Sequence, residues 1–215
     1  MTFKKAALFI LIILIIDQIS KIYIKTHFRL QESAEVFSWF QILFVENDGM
    51  AWGAKLSDFL TFMTDKSAKV FLTIFRIVAV TGIGIWLFNS IKRKASTILI
   101  VAVSLIFAGA LGNIIDSVFY GLIFNNSYGQ VATFLPEGGG YAGLFHGKVV
   151  DMLHFPIWSG VFPEWLPFWG GKAFAFFQPV FNIADVAISS GVGILIAFNK
   201  IAFAGNTKTD TIVLE

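Results

Sequence analysis

Four stretches of this chain are each long and apolar enough to cross a lipid bilayer, and they limit what the rest can become. They run roughly from Lys5 to Ile24, Val70 to Ile91, Thr97 to Tyr120 and Pro179 to Phe203. A crossing helix needs about 20 mostly apolar residues. It must be a helix because hydrocarbon offers no partner to an unpaired backbone N–H or C=O. The expected fold class is an all-α integral membrane protein, one membrane domain over residues 1–215 with four transmembrane helices. Two long outer segments, about 25–69 and 121–178, complete it. Charged residues make up 14% of the chain, well below the quarter usual in soluble domains. The basic residues are scattered, which argues against nucleic acid as a partner. Cysteine is absent, which excludes disulfides, thiol nucleophiles and Cys-based metal sites. Lys4 and Lys5 ahead of the first window imitate a secretory leader, yet Asp17, Gln18 and Lys21 stand where a small-residue cleavage site would follow. That window is therefore expected to stay as an uncleaved membrane helix.

Flanking positive charges set the expected orientation. Lys4 and Lys5 precede the first helix, Lys92, Arg93 and Lys94 fill the turn between the second and third, and Lys200 and Lys208 follow the fourth. An even number of spans puts all three groups, and both termini, on the cytoplasmic side. The first outer segment carries Lys25, Arg29, Lys55, Lys66 and Lys69 against that trend. Within it, residues 36–45 are aromatic and β-branched, as in a short strand or hairpin. "NDGMAWG" then supplies turn chemistry. Leu56, Phe59, Leu60 and Met63 follow at the spacing of a short amphipathic helix, lying on the membrane surface or packed on its own protein. The second outer segment is glycine-rich at "PEGGGYAGLFHG", and Trp158, Trp165 and Trp169 fit an interfacial aromatic belt.

The polar residues inside the windows fall at one level. At about 1.5 Å per residue, Asp17 lies about 18 Å from the inner face, with Lys21 one turn further. Asn113 and Asp116 lie about 24 and 28 Å up, and Asp185 about 9 Å below the outer edge. All sit in the outer half of a core about 30 Å thick. Charged groups at such depth pair with one another or line a cavity, so a polar pocket opening outward is expected. Each residue also has a plainer reading. Asp17 and Lys21, spaced i, i+4, can simply neutralise each other. Asn182 or Asp185 can cap a helix just after Pro179. Asn113 can bond across helices beside the small residues of "GALG". Asp151 can be a loop-edge residue bonding nearby amides. His146 and His154 lack the spacing or partners of a metal site, and Ser20 and Lys21, adjacent on a helix, do not face each other as a dyad would.

Five phrases occur in order: "DQISK", "NDGMAWG", "GALGNIID", "VVDML" and "FNIAD". Together they resemble the lipoprotein signal peptidase (signal peptidase II) family, aspartic peptidases of the bacterial inner membrane. The resemblance covers nearly the whole chain. It implies removal of the signal peptide from prolipoproteins, with the cut just before a cysteine already carrying diacylglyceryl. It implies a catalytic dyad of Asp151 and Asp185. Asp17, Lys21, Asn47, Gly49, Gly112, Asn113, Phe181, Asn182 and Ala184 match the family's remaining motif positions, and Asp116 joins them as site support. Neither a metal nor a cofactor is expected, and the partners are prolipoprotein and membrane lipid, with the chain acting as a monomer. One departure is Ser117, where the family usually has arginine after the Asp of "GNxxD"; Lys148 is a candidate substitute. The stretches Gly121–Lys148 and Phe155–Gln178 are also longer than usual. Two other readings of the same residues are a proton- or ion-coupled transporter using intramembrane Asp and Lys, and a non-catalytic membrane scaffold.

Overall fold

The computed structural model describes residues 1–47, 64–176 and 178–204. Gly49 and the amphipathic stretch at 56–63 lie outside them. Helix α1 spans Phe3–His27, α2 Asp65–Lys92 and α3 Thr97–Ile123. Each begins on a hydroxyl cap, with Thr2, Thr64 and Ser96 accepting from the backbone N–H three residues on. That bond satisfies one of the four orphan donors at a helix start. All three are long and apolar enough to cross a membrane. Helix α1 is built inside out compared with a soluble helix. Its buried residues include Asp17, Lys21 and Lys25, a strict i, i+4 series, while Leu8, Leu11, Ile12, Ile15, Ile16 and Ile19 are exposed. Lipid is the solvent for which that arrangement makes sense.

The fourth apolar window behaves differently from expectation. The helix does not start at Pro179. Val180–Phe181 form a two-residue strand, and Asn182 stays extended at φ −124°, ψ 179°. Helix α4 then covers Ile183–Ala197, and a break at Phe198 leads into the four-residue helix α5, Asn199–Ala202. At 15 residues α4 is shorter than the expected continuous span. The cause is local: Asn182 is a better cap than Pro179, and residues 180–181 gain a partner strand.

That partner belongs to a sheet the two outer segments build jointly, so the chain is not purely helical. Strands β1 (Ser33–Phe37) and β2 (Phe40–Asn47) form the expected hairpin. Strand β3 (Val149–His154) pairs with β2, and β6 (Val180–Phe181) pairs with β3. All pairings are antiparallel, in the order β1-β2-β3-β6. Between them, β4 (Trp158–Val161) and β5 (Ala173–Phe176) make a separate hairpin whose connection exposes Trp165 at 78% and Phe168 at 91%. The sheet's inner face, Phe44, Val150 and Met152, packs on Ile24 of α1 and Tyr120 and Phe124 at the end of α3.

Helices α3 and α4 approach closely because glycines face the contact. A Cβ on Gly109 would sit 2.2 Å from the Ala184 carbonyl, and one on Gly191 would sit 2.6 Å from that of Ala102. The "GALG" reading of the sequence is met here by Gly109 and Gly112. The glycine-rich stretch has a related use. It runs back along the last turns of α3, where Ala142, Phe145 and Gly147 donate N–H bonds to the carbonyls of Gly121, Val118 and Ser117. Carbonyls at a helix C-terminus need outside partners, and at Gly147 the approach is too close for any side chain: a Cβ there would be 2.0 Å from the Asp116 carbonyl.

Candidate active site

The ammonium of Lys21 is fully buried, and each of its three protons has an acceptor. These are Asp17 Oδ2 at 3.0 Å, Asp116 Oδ2 at 2.8 Å and Asn113 Oδ1 at 2.8 Å. Residues of α1 and α3 that sequence depth placed at one level therefore do meet. The Asp17–Lys21 neutralisation is real, and Lys21 serves Asp116 and Asn113 as well.

The consequence lies in the amides. Lys21 can only donate, so Asn113 must turn its oxygen toward it, which aims Asn113 Nδ2 at Asp185 Oδ1, 2.9 Å away. A second amide is fixed by the same logic. Asn182 is the N-cap of α4, and its side-chain oxygen accepts the Asp185 backbone N–H at 2.9 Å. Its Nδ2 is thereby aimed at Asp151 Oδ1, 2.7 Å away, and also donates to Asn113 Oδ1 at 3.1 Å. The Asp185 carboxylate accepts the Asn182 backbone N–H in return, at 3.3 Å, which closes a capping box. Of the two caps the sequence allowed, Asn182 is the one formed, with Asp185 at the third helical position closing the box, and both Asp151 and Asp185 accept from this one asparagine.

Asp151 comes from the middle of β3, directly across the ladder from Val45, and is 3% exposed. Asn47, at the end of β2, donates its amide to the other Asp151 oxygen, Oδ2. Burial, and next the charge of Asp185, push the Asp151 carboxyl up to about 7, against the bonds from Asn182 and Asn47 that hold it down. A buried carboxyl near a second one keeps its proton into the neutral range.

The remaining expected residues act through these. Ala184 N–H donates to Asp17 Oδ1 at 2.9 Å, so the α1 carboxylate also holds the first turn of α4. Gly112 leaves room for it, since a Cβ there would meet Asp17 Oδ2 at 2.6 Å. Asp116 accepts from Val150 N–H at 3.4 Å and so ties β3 to α3. Phe181 stacks on Phe155 with centroids 5.6 Å apart, and Phe155 stacks in turn on Phe40 at 4.9 Å. Ser20 bonds its own helix at the Asp17 carbonyl and does not engage Lys21. Ser117 turns its hydroxyl onto the Asn113 carbonyl at 2.9 Å. Lys148 does not substitute for an arginine beside Asp151. Its ammonium lies 3.8 Å from Glu46 and over the Tyr128 ring. His146 bonds the Leu144 carbonyl, and His154 lies at the end of β3. Among the described residues, no group of three or more His, Asp or Glu is arranged to hold a metal ion.

Sequence reasoning passed over several participants. Gln18 donates to Asp116 Oδ1 at 2.9 Å and Asp17 Oδ2 at 3.1 Å, and accepts from the Tyr120 hydroxyl at 3.2 Å. Lys25, one turn beyond Lys21, pairs with Glu46 and donates to Ser127 at 2.9 Å. The rings of Phe44, Phe124 and Tyr141 surround it at 5.8, 5.3 and 5.1 Å. The signal was present, since Lys25 continues the Asp17, Lys21 series at a period of four.

A model of the family described as signal peptidase (SPase) II matches residues 9–200 of this chain. A lipoprotein signal peptidase of Porphyromonas gingivalis is 50% identical over 195 residues, which cover 90% of this chain and 81% of the relative. One from Amoebophilus asiaticus is 36% identical over 191 residues, covering 86% and 73%. Among solved structures, a bacterial membrane enzyme determined by the in meso method is similar at a TM-score of 0.56 with 27% sequence identity. The match covers 98% of this chain and 96% of that one.

Proposed function

This chain belongs to the signal peptidase II family, and from that premise we propose that it removes signal peptides from prolipoproteins by an aspartic mechanism. The observation that carries the mechanism is Asn182, which donates its side-chain amide to Asp151 and its backbone N–H to Asp185. Two carboxyls held this way share one proton, since ionising both at short range is costly.

The proton sits on Asp151. Burial and the Asp185 charge raise that carboxyl to about 7. Asp185 accepts from Asn113 and from a backbone N–H in the first turn of α4, and donors at a helix N-terminus favour the anion. Asp185 then takes a proton from water, which attacks the scissile carbonyl. Asp151 donates a hydrogen bond to the carbonyl oxygen, and its proton goes to the leaving amine. The checking measurement is the pH dependence of turnover on a diacylglyceryl-modified prolipoprotein. The acid must stay protonated, so activity is expected to fall as pH rises through about 7. A rate that stays flat from pH 6 to 9 would overturn the assignment.

The substrate's diacylglyceryl chains stay in lipid while the peptide bond reaches the pocket near the outer boundary. In this reading α4 and α5 complete a fourth crossing, both termini are cytoplasmic, and the enzyme is a monomer of the bacterial inner membrane. In the same reading the exposed Trp165 and Phe168 of the β4–β5 connection lie at the membrane interface, where aromatic side chains are favoured. A reporter fused after Arg93 is expected to report the cytoplasm, and one inserted near Gly139 the outside. The inverse pattern would overturn the orientation.

A further inference from the structure

Arg76 interrupts an apolar helix, and the mechanism above does not use it. An arginine within a membrane span is costly and calls for a named partner. Three observations give it one. First, Arg76 lies three residues after Thr73 and four before Val80, on the buried face of α2. Val80 itself packs on Ile114 and Val118 of α3. Second, Arg76 stands sixteen residues from Lys92, and Asn113 stands sixteen residues from Thr97, on either side of one short turn. At about 1.5 Å per residue both lie about 24 Å from that turn, at the same height on neighbouring antiparallel helices. Asn113 is the residue whose amide touches Asp185. Third, among the described residues Asp185 is the carboxylate whose charge reaches the Arg76 guanidinium.

We propose that Arg76 is a positioning residue for the catalytic base, holding Asp185 in its carboxylate form from the α2 side; this rests on the aspartic reading given above. The other charged groups around Asp185 show why a cation is needed there. Asp151 faces it from β3. Lys21 from α1 is taken up by Asp17 and Asp116, two carboxylates against one ammonium. Ser117, with its hydroxyl on its own helix, brings no charge from α3. Arg76 supplies the positive charge that this cluster does not spare for the base.

The test is the pH profile of turnover by the purified full-length protein on a diacylglyceryl-modified prolipoprotein, for wild type, Arg76→Ala and Arg76→Lys. An opposite charge beside a carboxylate favours the anion by about one unit or more on the pH scale. Arg76→Ala is therefore expected to move the acidic limb upward by about one unit, with turnover reduced up to about tenfold at pH values below the limb and little changed above it. Arg76→Lys keeps the charge and is expected to return most of the limb toward wild type. If Arg76→Ala does not fold, Arg76→Lys alone still predicts a smaller upward movement. An unmoved acidic limb, or a loss of turnover equal at every pH, would overturn the proposal. Asp185→Asn, measured alongside, separates the two ideas. If it turns over normally, the dyad reading fails; if it is inactive while Arg76→Ala leaves the limb unmoved, only the role of Arg76 fails.

Discussion

Asp151→Asn and Asp185→Asn are each expected to lose cleavage of a diacylglyceryl-modified prolipoprotein by a factor of about 10²–10⁴ or more, while the protein stays folded. That range is what a positioned acid or base contributes to a proton-transfer step. Asparagine keeps the shape of aspartate but cannot exchange the proton. The structure also says why folding survives. Each carboxylate uses both oxygens, Asp151 toward Asn182 and Asn47, Asp185 toward Asn113 and the Asn182 backbone. An asparagine offers one acceptor oxygen and sets an NH₂ against the other donor, at a cost of about 1–3 kcal/mol. Thermal unfolding in detergent should record that modest loss, and the cleavage assay the large one. The competing readings diverge here. A scaffold keeps its function without either carboxylate, and a transporter would show proton-coupled flux in liposomes. Normal turnover by either variant would remove the dyad.

What the sequence showed and what it hid follow from the range of the forces involved. Bilayer length and hydropathy act on whole windows, so the three long helices were legible to within five residues at each end. The polar level was legible too, because depth along a helix is a fixed rise per residue; Asp17, Lys21, Asn113 and Asp185 form a chain of contacts at 2.8–3.0 Å. The start of α4 was not legible from hydropathy, because there a single cap and a two-residue strand outweigh an apolar run. The sheet was only half visible. The hairpin of β1 and β2 is local, but the pairing of β2 with β3 joins residues about a hundred apart, and no periodicity records it. Asp151 gains its burial from that pairing, so on local grounds a loop-edge aspartate was an even alternative. Only the resemblance singled it out. Arg76 stayed hidden for the opposite reason: one arginine barely lowers the hydropathy of an otherwise apolar window, and its meaning depends on the height of residues on another helix.

The second large effect belongs to Lys21, which touches neither carboxyl of the dyad in the contacts described above. Lys21→Met removes the sole ammonium between Asp17 and Asp116, both almost fully buried. Breaking a buried ion network by deleting one partner costs about 3–5 kcal/mol, because the remaining charges are left uncompensated. A large fall in thermal stability is expected. The triple variant Lys21→Met, Asp17→Asn, Asp116→Asn tests what that charge is for. Removing the ions together avoids the stranded carboxylates, so much of the lost stability should return. Activity should not return with it. Without the donor-only group at Lys21, the Asn113 oxygen keeps only the longer 3.1 Å bond from Asn182 Nδ2, so the amide is held less firmly, and a flipped Asn113 sets its oxygen against Asp185. Asp17 also holds the Ala184 N–H, so asparagine at 17 weakens the first turn that carries Asp185. Recovered thermal stability with turnover still reduced at least tenfold would mark the Lys21 cluster as the device that orients the site's amides. Recovery of both would reduce it to a structural ion network.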